Sequence, residues 1–187
     1  MSEAFLKSIF KVRGLIMVPP MIFITLCTAG EWENNLAVFG GGGAVFMLGL
    51  SLRVWAQMHL RYRLRTHKIL TVTGPYAYVR NPIYIANTAI LLGACMLAEL
   101  FWFLPIQLLW CAVIYTFVVR YEEARLAQKH GDAYRAYLAR VPRWLPKFSP
   151  SMNFKPSTRE YIGRSLLAEV HNLAILLPFV VKEIFCH

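Results

Sequence analysis

Apolar runs of nearly membrane-crossing length alternate with short charged segments along the whole chain. A helix needs about 20 apolar residues to cross the hydrocarbon core of a bilayer. Five runs meet or approach this length. The chain has no internal repeat and no linker that would divide it into domains. The pattern therefore predicts an all-α integral membrane protein, folded as one domain over residues 1–187. Its transmembrane helices are expected at 14–30, 36–56, 83–98, 100–119 and 161–185.

Prolines, glycines and one acid refine this map. The pair Pro19-Pro20 should kink the first helix or break it near its start. The run Gly40–Gly43 predicts close packing of the second helix, because small residues let helices approach. Residues 83–119 carry a single ionisable side chain, Glu99, so we expect a helical hairpin that turns at 98–100. Its first arm, 83–98, is short for a full crossing.

The part of the chain beyond the fourth run is expected to leave the membrane. Helix should continue past Arg120 as far as His130, where Gly131 suits a helix end. Four prolines between Val141 and Pro156 predict a loop on the membrane face. In the last run Glu169, His171 and Asn172 are polar insertions; we interpret His171 as a buried structural side chain and assign the other two no role.

Composition and charge agree with a bilayer as solvent. The hydrophobic share is 57% and the charged share 16%, against roughly 45–50% and 25% in soluble domains. With the N-terminus in the cytoplasm, every lysine and arginine except Lys182 falls on the cytoplasmic side, and the outer loops carry only Glu31, Glu33 and Glu99. This distribution follows the positive-inside rule. The net charge of +10 therefore indicates lipid headgroups rather than nucleic acid.

Three smaller features are read conservatively. Lys7, Lys11 and Arg13 precede the first apolar run as in a secretory signal, but no small-residue cleavage site follows, so we expect a retained helix. Arg53 should snorkel to the interface, and 57–68 should form an amphipathic interfacial segment. The four cysteines lack paired spacing, which indicates neither a disulfide framework nor a metal site.

The stretch Gly74–Tyr84 is the first candidate for chemistry. Its two prolines and its glycine prevent one continuous helix, and irregular backbone at a membrane is tolerated only inside protein or along a wet cavity. Three tyrosines and Arg80 supply further hydrogen-bonding groups. The stretch is either a binding segment for a nucleoside or amino-acid group, or an ordinary interfacial turn.

The second candidate is the pair Glu122 and Glu123, where the fourth run leaves the bilayer. Spacing of three residues lets Arg120 share a helix face with Glu123, and Arg125 with Glu122. The acids either balance charge at a helix end or hold ribose hydroxyls or an ammonium group.

These two motifs carry a family resemblance. Gly-Pro-Tyr-x-Tyr-Val-Arg-Asn-Pro-x-Tyr at 74–84 is followed by Arg-x-Glu-Glu-x-x-Leu at 120–126, by Gly131, Tyr134 and Tyr137, and by Val-Pro-Arg-x-x-Pro at 141–146. Over roughly residues 50–146 the chain resembles the isoprenylcysteine carboxyl methyltransferases. These belong to a wider group of integral-membrane methyltransferases that includes the phospholipid N-methyltransferases.

The resemblance implies S-adenosylmethionine as methyl donor, bound on the cytoplasmic side in the region 74–146. The cofactor contacts that it implies are Tyr76, Val79, Arg80, Asn81, Pro82, Tyr84, Glu122 and Glu123. Many members have histidine where this chain has Asn81, and asparagine does not titrate near neutral pH. The resemblance therefore implies no proton acceptor at that position.

The acceptor implied by the resemblance is a lipid or prenylated molecule that reaches the site from the bilayer. Carboxyl methylation of an isoprenylcysteine-like substrate needs a cation to orient the carboxylate, and Arg120 is the candidate, with Glu123 beside it. Methylation of a phospholipid amine is the alternative, and Glu123 would then be the base. A nicotinamide-dependent membrane reductase and a non-catalytic membrane protein remain as readings of another class. No metal and no obligate protein partner are expected.

Overall fold

The structure is a computed structural model that describes residues 2–27, 36–66, 70–148 and 161–173, without the side chains of 36–37, 61–66 and 171–173. All regular structure within these ranges is helical, as predicted. Several expectations fall outside them: the outer loop with Glu31 and Glu33, the second half of the proline-rich loop, the surroundings of His171 and Asn172, and the end of the fifth predicted span.

Two consecutive helices form the N-terminal part, α1 (Glu3–Ile16) and α2 (Val18–Leu26). They are separated at Met17, and Pro19-Pro20 lies in the first turn of α2, so the predicted break is confirmed. The apolar helix nevertheless begins at Glu3 rather than at residue 14.

Capping and packing explain the earlier start of the helix. The Ser2 hydroxyl accepts a hydrogen bond from the Phe5 backbone N–H at 3.4 Å, which satisfies a free donor of the first turn. The Phe10 ring then lies 5.1 Å from the Tyr121 ring, so α1 packs along the end of the fourth predicted span. The basic residues of α1 therefore lie on a packed helix and not in a preceding tail.

The second apolar run forms a π-helical turn, Leu36–Gly42, followed by α3 (Gly43–Thr66). A separate interfacial segment was predicted at 57–68. This prediction is wrong for residues 57–66, because α3 continues through them to Thr66. Leucine, arginine and glutamine are strong helix formers, so the sequence gives this region no reason to break.

Helix α4 (Pro82–Leu97) packs closely against α3 through small residues. A Cβ on Gly93 would lie 2.5 Å from the Phe46 backbone nitrogen, and one on Gly49 would lie 2.8 Å from that of Ile90. Within the predicted glycine run, a Cβ on Gly42 would meet the Met96 Cβ at 2.9 Å. The packing role of these glycines is thus confirmed, although the tightest contact lies outside the run.

The predicted hairpin turn follows α4. Glu99 has a φ of 64°, the left-handed conformation that commonly ends helices, and the Leu100 N–H donates to the Cys95 carbonyl at 3.2 Å. A 3-10 turn at Phe101–Phe103 leads into α5 (Leu104–Arg140). The turn is confirmed, whereas Glu99 is buried and not a solvated loop residue.

Gly131 divides α5 into a long apolar part and a short terminal part. Its φ of 51° and ψ of −126° are not helical, and such values favour glycine. The helix end expected at this residue is therefore present as a sharp kink. After it the chain turns back, and Tyr134 and Tyr137 are buried.

Three stretches of the described residues are long and apolar enough to cross a membrane: Glu3–Leu26, Val38–Leu60 and Phe101–Arg140. Helix α4 is apolar but only 16 residues long, about 24 Å at 1.5 Å per residue. Helix α6 (Ile162–Leu173) covers the start of the fifth predicted span, whose remainder lies outside the described residues. The five-span count thus remains a prediction, and the first span is placed earlier than expected.

The glycine contacts give a prediction about stability. Gly93→Ala puts a methyl group against the Phe46 backbone and should force α3 and α4 apart, at a cost of about 1–3 kcal/mol. Gly14→Ala is the matched control, because its Cβ meets nothing within 4 Å. Thermal unfolding in detergent should show a lower midpoint for Gly93→Ala alone; equal midpoints would contradict the close approach.

Candidate functional site

The segment Gly74–Tyr84 is held in an irregular conformation by its own residues. It begins with a 3-10 turn, Gly74–Ala77, and ends where Pro82 opens α4. Gly74 has a φ of 60°, and a Cβ there would lie 2.4 Å from the His59 ring of α3. That ring is fixed in turn by a 2.9 Å hydrogen bond between its Nδ1 and the Thr73 hydroxyl. The start of the segment is therefore seated against α3.

Residues beyond the Gly131 kink cover the other side of this segment. The Tyr137 hydroxyl donates to the Tyr76 carbonyl at 2.8 Å. The Arg80 N–H donates to the Pro142 carbonyl at 2.9 Å, and the Lys147 N–H donates to the Tyr78 carbonyl at 3.0 Å. The two motifs of the sequence are thus in direct contact. Hydrogen bonds between them satisfy polar groups of their irregular backbone.

Glu123 is the centre of the ionic contacts between the motifs. Its Oε1 lies 3.2 Å from Arg80 Nη1, and Arg143 donates to both oxygens, from Nε at 3.1 Å and from Nη2 at 2.6 Å. The fork formed by Arg143 is the bidentate geometry that makes arginine–carboxylate pairs strong. The hydrogen bond to Glu123 raises the pKa of Arg143 above its ordinary value. One carboxylate therefore joins α5, the Gly74–Tyr84 segment and the loop after α5.

This arrangement corrects the predicted partner of Glu123. Arg120 was expected to pair with it, but Arg80 and Arg143 occupy both carboxylate oxygens. Arg120 is exposed on α5, and among the described residues it forms no ion pair with Glu123. The spacing rule found the right carboxylate, but the tertiary contacts selected other cations.

Glu122 is directed differently from Glu123. Its carboxylate faces the Tyr84 hydroxyl, with which it interacts. The Tyr84 ring lies 4.9 Å from the Tyr115 ring, at 41°, which fixes it against α5. The two adjacent carboxylates therefore have different partners. Glu123 connects α5 with the Gly74–Tyr84 segment and the loop after α5, whereas Glu122 faces Tyr84.

A cavity of about 570 Å³ lies where these groups meet. Its size falls within the range of small-molecule sites. Arg80 lines it, and Arg80 Nε is buried without a hydrogen-bond partner among the described residues. Most of the residues expected to contact a cofactor line this cavity: Tyr76, Arg80, Asn81, Pro82, Tyr84, Glu122 and Glu123.

Two predicted site residues do not line the cavity. Val79 is only 3% exposed, and its backbone N–H is bonded to the Pro75 carbonyl, so it packs inside the segment. Arg120 is the other. Asn81 does line the cavity, but its side-chain amide donates to the Arg143 carbonyl at 3.3 Å, which ties it to the loop after α5.

Sequence reasoning missed the contribution of α1, α3 and the middle of α4. These helices supply further polar lining residues, namely Arg13, Arg53, Gln57 and Asn87. An isolated arginine within an apolar run, with a glutamine one turn later, was an available signal for Arg53. Glu169 of α6 and Asn87 bind the guanidinium of Arg53, and its predicted snorkelling to the interface remains a prediction.

A second, apolar cavity of about 400 Å³ lies beside the first, between α3, α4 and α5. Tyr84 lines both cavities, so its ring stands between a polar and an apolar space. Leu108, which is 51% exposed, also lines the apolar cavity, which therefore reaches the outer surface of α5. Its other lining residues are Val45, Ile85, Thr88, Ala89, Leu92, Cys111, Ala112, Tyr115, Thr116 and Trp144.

Comparison with known proteins gives one family and two relatives. The family model "Phospholipid methyltransferase" matches residues 36–133, just over half of the chain. The nickel-cobalt-cadmium resistance protein NccN of Alcaligenes xylosoxydans xylosoxydans is 26% identical over 137 residues, which are 71% of this chain and 63% of the relative. The cobalt-zinc-cadmium resistance protein CzcN of Cupriavidus metallidurans is 29% identical over 124 residues, which are 64% and 54%.

The chain thus spans between half and two thirds of the length of these curated relatives. No solved structure gives a significant match. The matched residues 36–133 contain the whole Gly74–Tyr84 segment and both acids, but not Arg143 or α6.

The contact between the motifs can be tested through one hydroxyl. Tyr137→Phe removes only the hydrogen bond to the Tyr76 carbonyl and should lower the stability by about 1 kcal/mol. Hydrogen exchange of the amides at 74–79 should accelerate. Arg135→Gln, on the same terminal turn but exposed, is the control. Unchanged exchange in Tyr137→Phe would show that this bond does not hold the segment.

Proposed function

Because the chain belongs to the phospholipid methyltransferase family, we propose that it transfers a methyl group from S-adenosylmethionine to a membrane-embedded or amphiphilic acceptor. The observation that supports this most strongly is the position of Tyr84 between a polar and an apolar cavity. A charged nucleoside donor and a lipid-like acceptor need two spaces of opposite character that adjoin at the reacting atoms.

The polar cavity suits the methyl donor in its chemistry. Glu122 offers a carboxylate for ribose hydroxyls or for the ammonium group, and Arg80 in the lining offers a positive charge for the carboxylate. Tyr76, Tyr134 and Tyr137 supply aromatic surface for a purine ring. When bound, S-adenosylmethionine supplies an electrophilic methyl group on a sulfonium.

The work of the protein in such a transfer is to align two molecules. Methyl transfer from a sulfonium is an in-line displacement, and correct positioning of the reactants contributes up to about 7–11 kcal/mol in favourable cases. Tyr84 is the residue best placed to define this alignment, because its ring is held by Tyr115 and its hydroxyl by Glu122.

Two acceptor chemistries are compatible with the site. A carboxylate acceptor, as in an isoprenylcysteine-like molecule, needs no general base; we favour it as the substrate class. An amine acceptor, as in a phospholipid, must lose a proton at some stage. Both oxygens of Glu123 are occupied by arginines, so Glu122, through Tyr84, is the better candidate for a base.

The proposed orientation places the N-terminus and both motifs on the cytoplasmic side. The distribution of basic residues in the sequence supports it through the positive-inside rule. The donor would then enter the polar cavity from the cytoplasm, and the acceptor would enter the apolar cavity from the bilayer past Leu108.

The proposal predicts selective donor binding through Glu122. Glu122→Gln removes the charge but keeps a hydrogen-bond acceptor for Tyr84, so the fold should persist while S-adenosylmethionine affinity falls about tenfold or more. Arg135→Gln is the control, since Arg135 is exposed and does not line the cavity. Equilibrium dialysis with labelled donor measures both.

A parallel titration with reduced nicotinamide dinucleotide phosphate separates methyl transfer from reduction. We expect binding of the methyl donor alone. Binding of the nicotinamide alone, or wild-type donor affinity in Glu122→Gln, would refute the assignment of the cavity.

A further inference from the structure

A chain of polar contacts connects α6 with the apolar cavity. Arg53 Nε donates to Glu169 Oε2 at 2.5 Å, and Arg53 Nη1 donates to the Asn87 side-chain oxygen. The Asn87 side chain also interacts with Tyr115. Glu169 is 3% exposed, and the Arg53 side chain is 19% exposed. These contacts fix the Arg53 guanidinium between the largely apolar helices α3 and α4.

The position of this guanidinium relates it to both cavities. Arg53 and Asn87 line the polar cavity, and Tyr115 lines the apolar one. Asn87 and Tyr84 are three residues apart on α4 and therefore lie on one helix face. Arg53 thus lies where the head of an amphiphile would be if its tail filled the apolar cavity.

The donor count and the charge leave Arg53 able to bind a further group. A guanidinium carries five N–H donors, and the bonds to Glu169 and Asn87 require two of them. Glu169 does not line the polar cavity, whereas Arg53 does, so the cationic side of the pair faces the cavity. The lining as a whole is basic, with Arg13, Arg53, Arg80, Arg125 and Lys129 against Glu122 and Glu123.

We propose that Arg53, positioned by Glu169 and Asn87, binds the anionic head of the acceptor and so selects carboxylate or phosphate amphiphiles. This inference rests on the proposed function and specifies its substrate class. Glu169 and Asn87 act as positioning residues, because they hold the guanidinium and do not contact the acceptor. Glu169 lies outside residues 36–133, so the family match does not cover this part of the site.

Two other arginines of the lining are less suited to this role. Arg80 is engaged with Glu123. Arg13 Nη1 donates to the Phe10 carbonyl at 2.7 Å, and its guanidinium lies 4.1 Å from the centre of the Phe10 ring. Arg13 is thus turned toward its own helix.

The test compares three probes that share one hydrocarbon chain: hexadecylthioacetic acid, hexadecyl phosphate and the neutral hexadecylthioacetamide. Their affinities are measured in phosphatidylcholine nanodiscs by tryptophan fluorescence, because Trp144 lines the apolar cavity. We expect the wild-type protein to bind at least one of the two anions about tenfold more tightly than the amide. The more tightly bound anion identifies the head group as carboxylate or phosphate.

Three variants assign this preference to a residue. Glu169→Gln keeps an oxygen that accepts from Arg53 and should keep the preference. The double variant Arg53→Gln/Glu169→Gln removes both charges together, so no unpaired charge is buried, and it should bind the acid and the amide equally. Arg135→Gln, which is exposed and lines neither cavity, should behave as wild type. Measurable S-adenosylmethionine binding by each variant shows that it is folded.

The outcomes separate this inference from the proposed function. Equal wild-type affinity for all three probes, a preference that survives in the double variant, or its loss in Arg135→Gln would overturn the role of Arg53 while donor binding stands. Absence of donor binding by the wild-type protein would refute the proposed function itself. If the double variant does not fold, Arg53→Lys replaces it, with an expected loss of about tenfold for the anions only; unchanged anion affinity would then overturn the inference.

Discussion

The ion pairs of Arg80 and Arg143 with Glu123 are the interactions on which the site depends. Arg80 belongs to an irregular segment and Arg143 to a loop. Neither residue lies in a helix whose backbone hydrogen bonds would fix its position. A carboxylate that is mostly buried on α5 draws both to one point, at 3.2 and 2.6 Å. Removal of the Glu123 carboxylate would leave the mostly buried Arg80 without its ionic partner, at a typical cost of about 3–5 kcal/mol. The polar cavity lies directly beside this point.

Close helix packing completes the arrangement by placing an apolar space next to the polar one. The glycine contacts bring α3 and α4 together, and Arg53 and Asn87 meet across that interface. Tyr84, at the start of α4, then lines the polar cavity and the apolar cavity. The backbone preferences of Gly74, Pro82 and Gly131 thus help to determine where these two cavities adjoin.

Local features were readable from the sequence, and partners across the fold were not. The proline break after Met17, the turn at Glu99 and the kink at Gly131 each follow from one residue's backbone preference. The choice of Arg80 and Arg143 over Arg120 depends on how loops fold back, which helix spacing does not encode. The pairing of Arg53 with Glu169 joins residues 116 positions apart, so no local sequence pattern predicts it.

Hydrogen exchange of the wild-type protein, with and without S-adenosylmethionine, tests the central claim most directly. If the donor sits between the two motifs, its addition should protect the amides of 74–84 and those of 120–147 together, at one common concentration. Protection confined to one of these stretches, or absent from both, would contradict a cavity built jointly by them.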